Sequence, residues 1–274
     1  MARHQNIKEG VVHLVSDSFL AKQLLVLMKI TYSIQALVTS LAFCASQAHA
    51  GVIISGTRVV FPGNEREVTV KVSNEGKHPA LVQAWLDAGA QNESPDKIDV
   101  PFILSPTMFR LDPGKGQAVR MIHSGEPMPT DKESLYWLNF LEIPPKADSN
   151  DKRNKIQVAF RSRIKVMYRP AGLPGSAEEA PAQLKWSMAK MASGKYALKA
   201  TNPTPYVVNL SSVSLISNAE KYDAGAGYVL PGETQEFAIT GLNSAPAAGA
   251  KVQAGAINDW GATFNLEKVV SRTQ

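Results

Sequence analysis

"IQVAFRSRIKVMYRP", residues 156–170, alternates apolar and polar side chains along its length. Successive side chains of an extended strand point to opposite sides, so Ile156, Val158, Phe160, Ile164, Val166 and Tyr168 share one face. Gln157, Arg161, Arg163, Lys165 and Arg169 share the other. At ~3.3 Å per residue, a strand from Ile156 to Tyr168 would reach about 43 Å, and most strands stop near half that. The ordinary reading of such a stripe puts the even side in a core and the odd, basic side in water. The apolar side is longer than one small domain needs, and its leading end calls for a second explanation.

Upstream, "GVIISGTRVVF", "EVTVKVSN", "ALVQAWLD", "FILS", "QAVRMIH" and "LYWLNFLEI" are short, turn-separated runs of strand formers. Pro62-Gly63 and Pro113-Gly114 supply turns, proline by presetting φ and glycine by accepting positive φ. Together with the long stripe they read as an immunoglobulin-like sandwich over 51–169. Residues 170–183, "PAGLPGSAEEAPAQ", change composition and read as a linker. Strand-like runs resume in "YALKATN", "YVVNLSSVSLI", "QEFAI", "KVQAGAI" and "ATFNLEKVV", enough for a second sandwich over 184–274. The fold class is therefore all-β, two immunoglobulin-like β-sandwich domains.

The first fifty residues read differently. "MKITYSIQALVTSLAFCASQAHA" has a charged start at Lys29, an apolar run and the small-x-small end Ala48-His49-Ala50, the features of a secretory signal over 28–50 cleaved before Gly51. The apolar run is too short to favour a membrane span. Residues 1–27 sit awkwardly before that charged start and read as an upstream extension, with translation expected from Met28. Cys44, the single cysteine, lies within the signal, so no disulfide or thiol chemistry is expected after Gly51. From Gly51 onward 25 Lys and Arg face 22 Asp and Glu, a net charge of +3 with no basic block, which gives nucleic-acid binding little support.

Enzyme chemistry finds no foothold. His78 and His123 are the only histidines after Gly51 and read as solvated loop or strand-end residues, too few for a His-ligated metal or a catalytic triad. "PGKGQ" lacks the spacing and the Lys-Ser/Thr pair of a phosphate-binding loop. No two carboxylates are singled out as acid and base, and "RSRIK" reads as a solvated sheet face. No catalytic residue, metal or cofactor is expected.

Three segments together resemble the periplasmic chaperones of the chaperone-usher pilus pathway, the PapD-like family: "TRVVF" with Arg58, "PTDKESLYWLNFLEIPP" at 129–145, and the opening stripe. "NPTPYVVNLSS" from Asn202 and "INDWGATF" from Ile257 are similar to that family's C-terminal motifs, and the likeness spans 51–270. Phe140 departs from the signature, which prefers an aliphatic residue there. The resemblance implies two sandwiches set at an angle, in an L-shape with a cleft between them, and a periplasmic chaperone without an enzymatic step. Its partners would be pilus subunits, incomplete sandwiches that lack a strand, and an outer-membrane usher that receives them. The resemblance leaves open whether the free chaperone caps its own strand as a homodimer; neither nucleic acid nor stable membrane insertion after signal cleavage is expected.

Residue by residue, the resemblance makes Ile156, Val158 and Phe160 the side chains donated to the subunit's groove, and Arg58 with Lys165 the anchor for its C-terminal carboxylate. Glu133, Arg169 and Asp259 match an interdomain ionic network. As surface ion pairs they would add little stability, so their expected role is to hold the interdomain angle. The short polar segment 144–155 fits the family's short-loop branch. The alternatives are an exported pilus subunit or adhesin, which would carry a donor extension and often a cysteine pair, and a carbohydrate-binding sandwich. The last would want surface aromatics among Trp85, Trp137, Trp186 and Trp260.

Overall fold

The computed structural model describes residues 28–35, 51–145, 156–191, 194–242 and 244–271. The expected cleavage site, Cys44 and most of the loop before the stripe lie outside these residues. Residues 28–35 are helical, and no helix among the described residues is long and apolar enough to cross a membrane.

The first sandwich is built from nine strands. Strands β1 (Val52–Ile54), β3 (Glu67–Asn74), β5 (Phe102–Ser105) and β7 (Gly116–His123) form one sheet in the order β1-β3-β7-β5. Strands β2 (Arg58–Pro62), β4 (Ala80–Asp87), β6 (Met108–Leu111), β8 (Ser134–Ile143) and β9 (Phe160–Arg169) form the other, in the order β2-β9-β8-β4-β6. The alternation of Val70, Val72, Val82, Ala84, Val119 and Met121 with polar neighbours puts one face of each sheet into a common core, where Phe61, Leu138 and Val166 are also fully buried. The opening run "GVIISGTRVVF" is split between the two sheets. It bends at Gly56, whose φ of +144° is open to glycine, so that β1 joins β3 while β2 runs parallel to β9.

The stripe is shorter as a strand than its alternation predicts. β9 begins at Phe160, not Ile156. A strand persists only where a neighbour satisfies its backbone, and β8 ends at Ile143 before Pro144-Pro145, its last β9 pair being Glu142↔Phe160. β2 joins from the other side only at Arg58↔Lys165. Residues 156–159 therefore have no ladder on either side among the described residues, and 160–164 have one on the β8 side alone.

Past Arg169, Leu173 and Ala177 pack on the second core, and the Tyr206 hydroxyl donates to the carbonyls of Leu173 (3.3 Å) and Gly175 (3.0 Å). The short helix α1 (Ala180–Gln183) leads into β10 (Lys185–Lys190), which lies beside β11 (Tyr196–Thr201) and β15 (Thr234–Ala238). The facing sheet holds β12 (Val208–Ser217), β13 (Glu220–Asp223), β14 (Gly227–Val229), β16 (Lys251–Ile257) and β17 (Thr263–Val269). Trp186, Leu198, Leu210, Val213, Leu215 and Val252 fill the core between them.

Candidate functional site

The even side of β9 changes character along its length. Val166 is fully buried, Tyr168 nearly so, and Ile164 packs at the margin of the core, whereas Phe160 is 64% exposed. Ahead of it Ile156 and Val158 are 91% and 51% exposed. The excess apolar length seen in the sequence thus lies outside its own core, beside an unpaired strand edge.

At the point where that edge closes, Arg58 and Lys165 are register partners in the parallel β2/β9 pair. Arg58 Nε and Nη1 are buried and have no hydrogen-bond partner. Burial lowers the pKa of this guanidinium, against an opposing pull from Asp259. The Lys165 ammonium donates to Asn209 Oδ1 at 2.6 Å and lies 4.6 Å over the Tyr228 ring. Burial first, and then the neighbouring Arg58 charge, push its pKa down to about 8. Two cations held side by side, one with unpaired buried donors, make a place where an anion would recover lost hydrogen bonds.

Glu133, Arg169 and Asp259 meet at the contact between the sandwiches. Arg169 forks onto Asp259 (Nη1 to Oδ2 2.7 Å, Nη2 to Oδ1 2.9 Å) and donates through Nε to Glu133 Oε1. Glu133 Oε2 accepts from the Val207 N–H at 2.6 Å, and its own N–H donates to Pro205 O at 2.8 Å. The trio is not a surface network, because the Glu133 side chain is only 1% exposed. Burial pushes the Glu133 carboxyl upward against the pull of Arg169, and although burial alone would lower it, the two carboxylates raise the Arg169 guanidinium. Close packing extends beyond the charges. Trp137 meets Tyr228 edge-on at 5.8 Å, and a Cβ on Gly261 would come within 2.6 Å of Thr57 Oγ1, next to Arg58.

The odd side of β9 departs from the expectation of a solvated face. The Arg161 and Arg163 guanidinium groups lie over Trp85 and Trp137, 4.9 and 4.5 Å from the ring centroids. Below them Asp87 and Asn139 are completely buried. Arg163 forks onto the Asp87 carboxylate, with Nε 3.0 Å from Oδ2. Asn139 donates to Asp87 Oδ2 at 2.8 Å, and its Oδ1 accepts from Arg161 Nε and Nη2 at 3.0 and 2.7 Å. Burial opposes ionisation of Asp87, but bonds from Arg163, Asn139 and the Gly89 N–H outweigh it and hold the carboxyl below its usual range. The local sequence carried a signal for this cluster that alternation alone does not use. "WLD" at 85–87 and "WLN" at 137–139 each place a polar residue two after a tryptophan, on the side facing away from the core. Asn209 and Tyr228, from the second sandwich, had no such mark.

His123 also differs from its expected solvation. It ends β7, but its ring lies 5.8 Å from Phe102 and 5.6 Å from Tyr168, with Nε2 buried and unpartnered. His78 is exposed. Of the tryptophans, Trp186 is core, Trp85 and Trp137 lie beneath arginines, and Trp260 is 93% exposed.

Residues 51–174 match the family described as "Pili and flagellar-assembly chaperone, PapD N-terminal domain", and residues 179–268 match "Pili assembly chaperone PapD, C-terminal domain". The chain belongs to the PapD family of pilus-assembly chaperones. The family is non-enzymatic, and its two immunoglobulin-like domains are the two sandwiches described above. This chaperone is 41% identical over 236 residues to the chaperone protein FimB/FhaD of Bordetella pertussis, covering 84% of this chain and 93% of that one. It also resembles the crystal structure of the YadV chaperone, with a TM-score of 0.69 and 36% identity over 81% of this chain and all of the other. The SafB chaperone of Salmonella enterica in complex with SafA pilin is similar at a TM-score of 0.66 and 26% identity, covering 82% of this chain and 98% of that one.

Proposed function

We propose that this chaperone caps pilus subunits by lending them the leading end of its stripe. Ile156, Val158 and Phe160 enter successive apolar pockets of an incomplete subunit, while the free edge of residues 160–164 pairs with the subunit's backbone. Side chains two apart in an extended segment fall about 6.6 Å from one another, and each burial contributes about 1.5 to 3 kcal/mol before the cost of ordering is met. A slip of one residue would put Gln157, Ala159 and Arg161 into the pockets, so the mode needs an anchor. Arg58 and Lys165 supply it by taking the subunit's terminal carboxylate. Glu133, Arg169 and Asp259 fix the second sandwich against the first and so keep Asn209 and Tyr228 around the anchor lysine.

The observation that carries this reading is the pairing of an exposed apolar strand end with two adjoining half-buried cations at its base. The kinship with a chaperone solved together with a pilin supports the choice of partner. In this reading residues 28–50 export the chain to the periplasm, 1–27 are an upstream extension, and an outer-membrane usher receives the loaded complex. A free chaperone pairs the same edge with a second copy.

Co-expression with the secreted subunits, followed by periplasmic pull-down, tests it. Wild type is expected to yield a one-to-one complex, and Phe160→Asp none at undiminished chaperone level. Arg58→Ala and Lys165→Ala are each expected to remove a charge-assisted contact of about 1.5 to 3 kcal/mol, enough to lower subunit recovery more than tenfold. Full recovery with all three variants would refute the donation and the anchor together.

A further inference from the structure

The half-strand that does the capping, residues 160–164, is flanked by β8 alone, and an extended end with one neighbour frays. On its even side only Ile164, at the inner end, packs against the core, and Phe160 and Ser162 are exposed. Its odd side is gripped at two consecutive odd positions: Arg161 by Asn139 Oδ1 and the Gln91 carbonyl (2.7 Å), and Arg163 by the Asp87 carboxylate. Asn139 sits on β8, next to β9, and Asp87 on β4 beyond it, and the two bond each other, so the grip crosses three strands of the sheet. Both are wholly buried, which is an expensive placement for a carboxylate unless its partners are well fixed.

We propose that Asp87 and Asn139 are positioning residues for subunit capture: through Arg161 and Arg163 they hold residues 160–164 extended and in register before a subunit arrives. A strand ordered in advance does not pay its ordering entropy at the moment of binding. The clamp also explains why the guanidinium groups of both arginines lie over Trp85 and Trp137, a placement that limits their rotamers. The inference rests on the strand-donation reading above.

The test follows amide hydrogen exchange of the free chaperone and the rate at which it captures a subunit. The probe is a subunit recovered from the wild-type complex, unfolded in denaturant and diluted onto each variant, with light scattering reporting what escapes capture. Arg163→Lys keeps the charge but loses the fork. Asp87→Asn with Arg163→Met removes both charges, so no unpaired buried ion is left to unfold the chain. In both, amides of 160–164 are expected to exchange about tenfold faster while those of 166–169 are unchanged, and capture slows about tenfold per folded molecule. Wild-type exchange at 160–164 and wild-type capture in the doubly substituted chain would overturn the positioning role. If Phe160→Asp also captured normally, the donation reading itself would fall; if Phe160→Asp alone is inert, only the clamp fails.

Discussion

The two halves of β9 are written in the same alternating code and meet opposite fates. From Val166 to Arg169 the strand lies between β2 and β8, its even side in the core and its odd side at the contact with the second sandwich. From Phe160 to Ile164 it has one neighbour, its even side leaves the core between Ile164 and Phe160, and its odd side is clamped to Asp87 and Asn139. The apolar side chains of Ile164, Val166 and Tyr168 stabilise this molecule, and that of Phe160 is surplus to it. The difference comes from where neighbouring strands begin and end, which the residues of β9 do not encode.

The largest effect expected is from putting a charge into each half. Val166→Asp buries an unpaired carboxylate at a fully enclosed position and is expected to leave no folded chaperone, by far-UV circular dichroism and soluble yield. Phe160→Asp, at a position 64% exposed, is expected to change stability by no more than about 0.5 kcal/mol while abolishing capture. Equal destabilisation by the two substitutions would erase the distinction between the halves.

Much of this was legible in advance. Alternation located β3, β4, β5 and β16 to the residue, because each has one side in a core, which even the four-residue edge strand β5 marks with Phe102 and Leu104. β6, β13 and β14 went unread, being edge segments of three or four residues that carry too little periodicity, and β10 went unread although Trp186 and Met188 alternate with polar or small neighbours in it. Residues 156–159 read as strand because they have the pattern, but a pattern without a neighbour makes no ladder. The arginine clamp was missed for a related reason. Alternation sorts side chains by face and is silent on what covers the face, and Asp87 lies 76 residues from Arg163. Arg58 and Lys165 entered through resemblance alone. Their shared geometry, with unpaired donors beside a depressed lysine, exists only once β2 lies parallel to β9.

A second, smaller effect separates the two carboxylates that Arg169 joins at the far end of β9. Arg169→Met leaves Glu133 buried without its counter-ion and is expected to cost about 3 to 5 kcal/mol in urea unfolding. Asp259→Asn, whose side chain is 33% exposed and which leaves the Glu133 pair intact, should cost no more than about 1 kcal/mol. If both cost the same, the network acts as one exposed cluster, and Glu133 has no special weight at the contact.

The smallest effect is set by proton linkage at Lys165, where the halves of β9 join. Its pKa falls from 10.5 to about 8 in the free fold, so below pH 8 the folded chain bears the full cost of a half-buried ammonium beside the Arg58 charge. Between about 8 and 10.5 the unfolded chain keeps a proton that the folded one has shed, so this group makes the free chaperone more stable as pH rises through that window. A bound carboxylate acts the other way. It favours the charged ammonium, so complex formation above pH 8 takes up a proton, and affinity should fall by up to about tenfold per pH unit. Affinities measured between about pH 7 and 9.5 on wild type and Lys165→Met separate the contributions. Wild type should bend downward near pH 8, and Lys165→Met should bind more weakly but without the bend, since Arg58 stays charged throughout. A flat wild-type profile would mean that the subunit's carboxylate is held by Arg58 alone, and that Lys165 is committed to Asn209 and Tyr228 rather than to the guest.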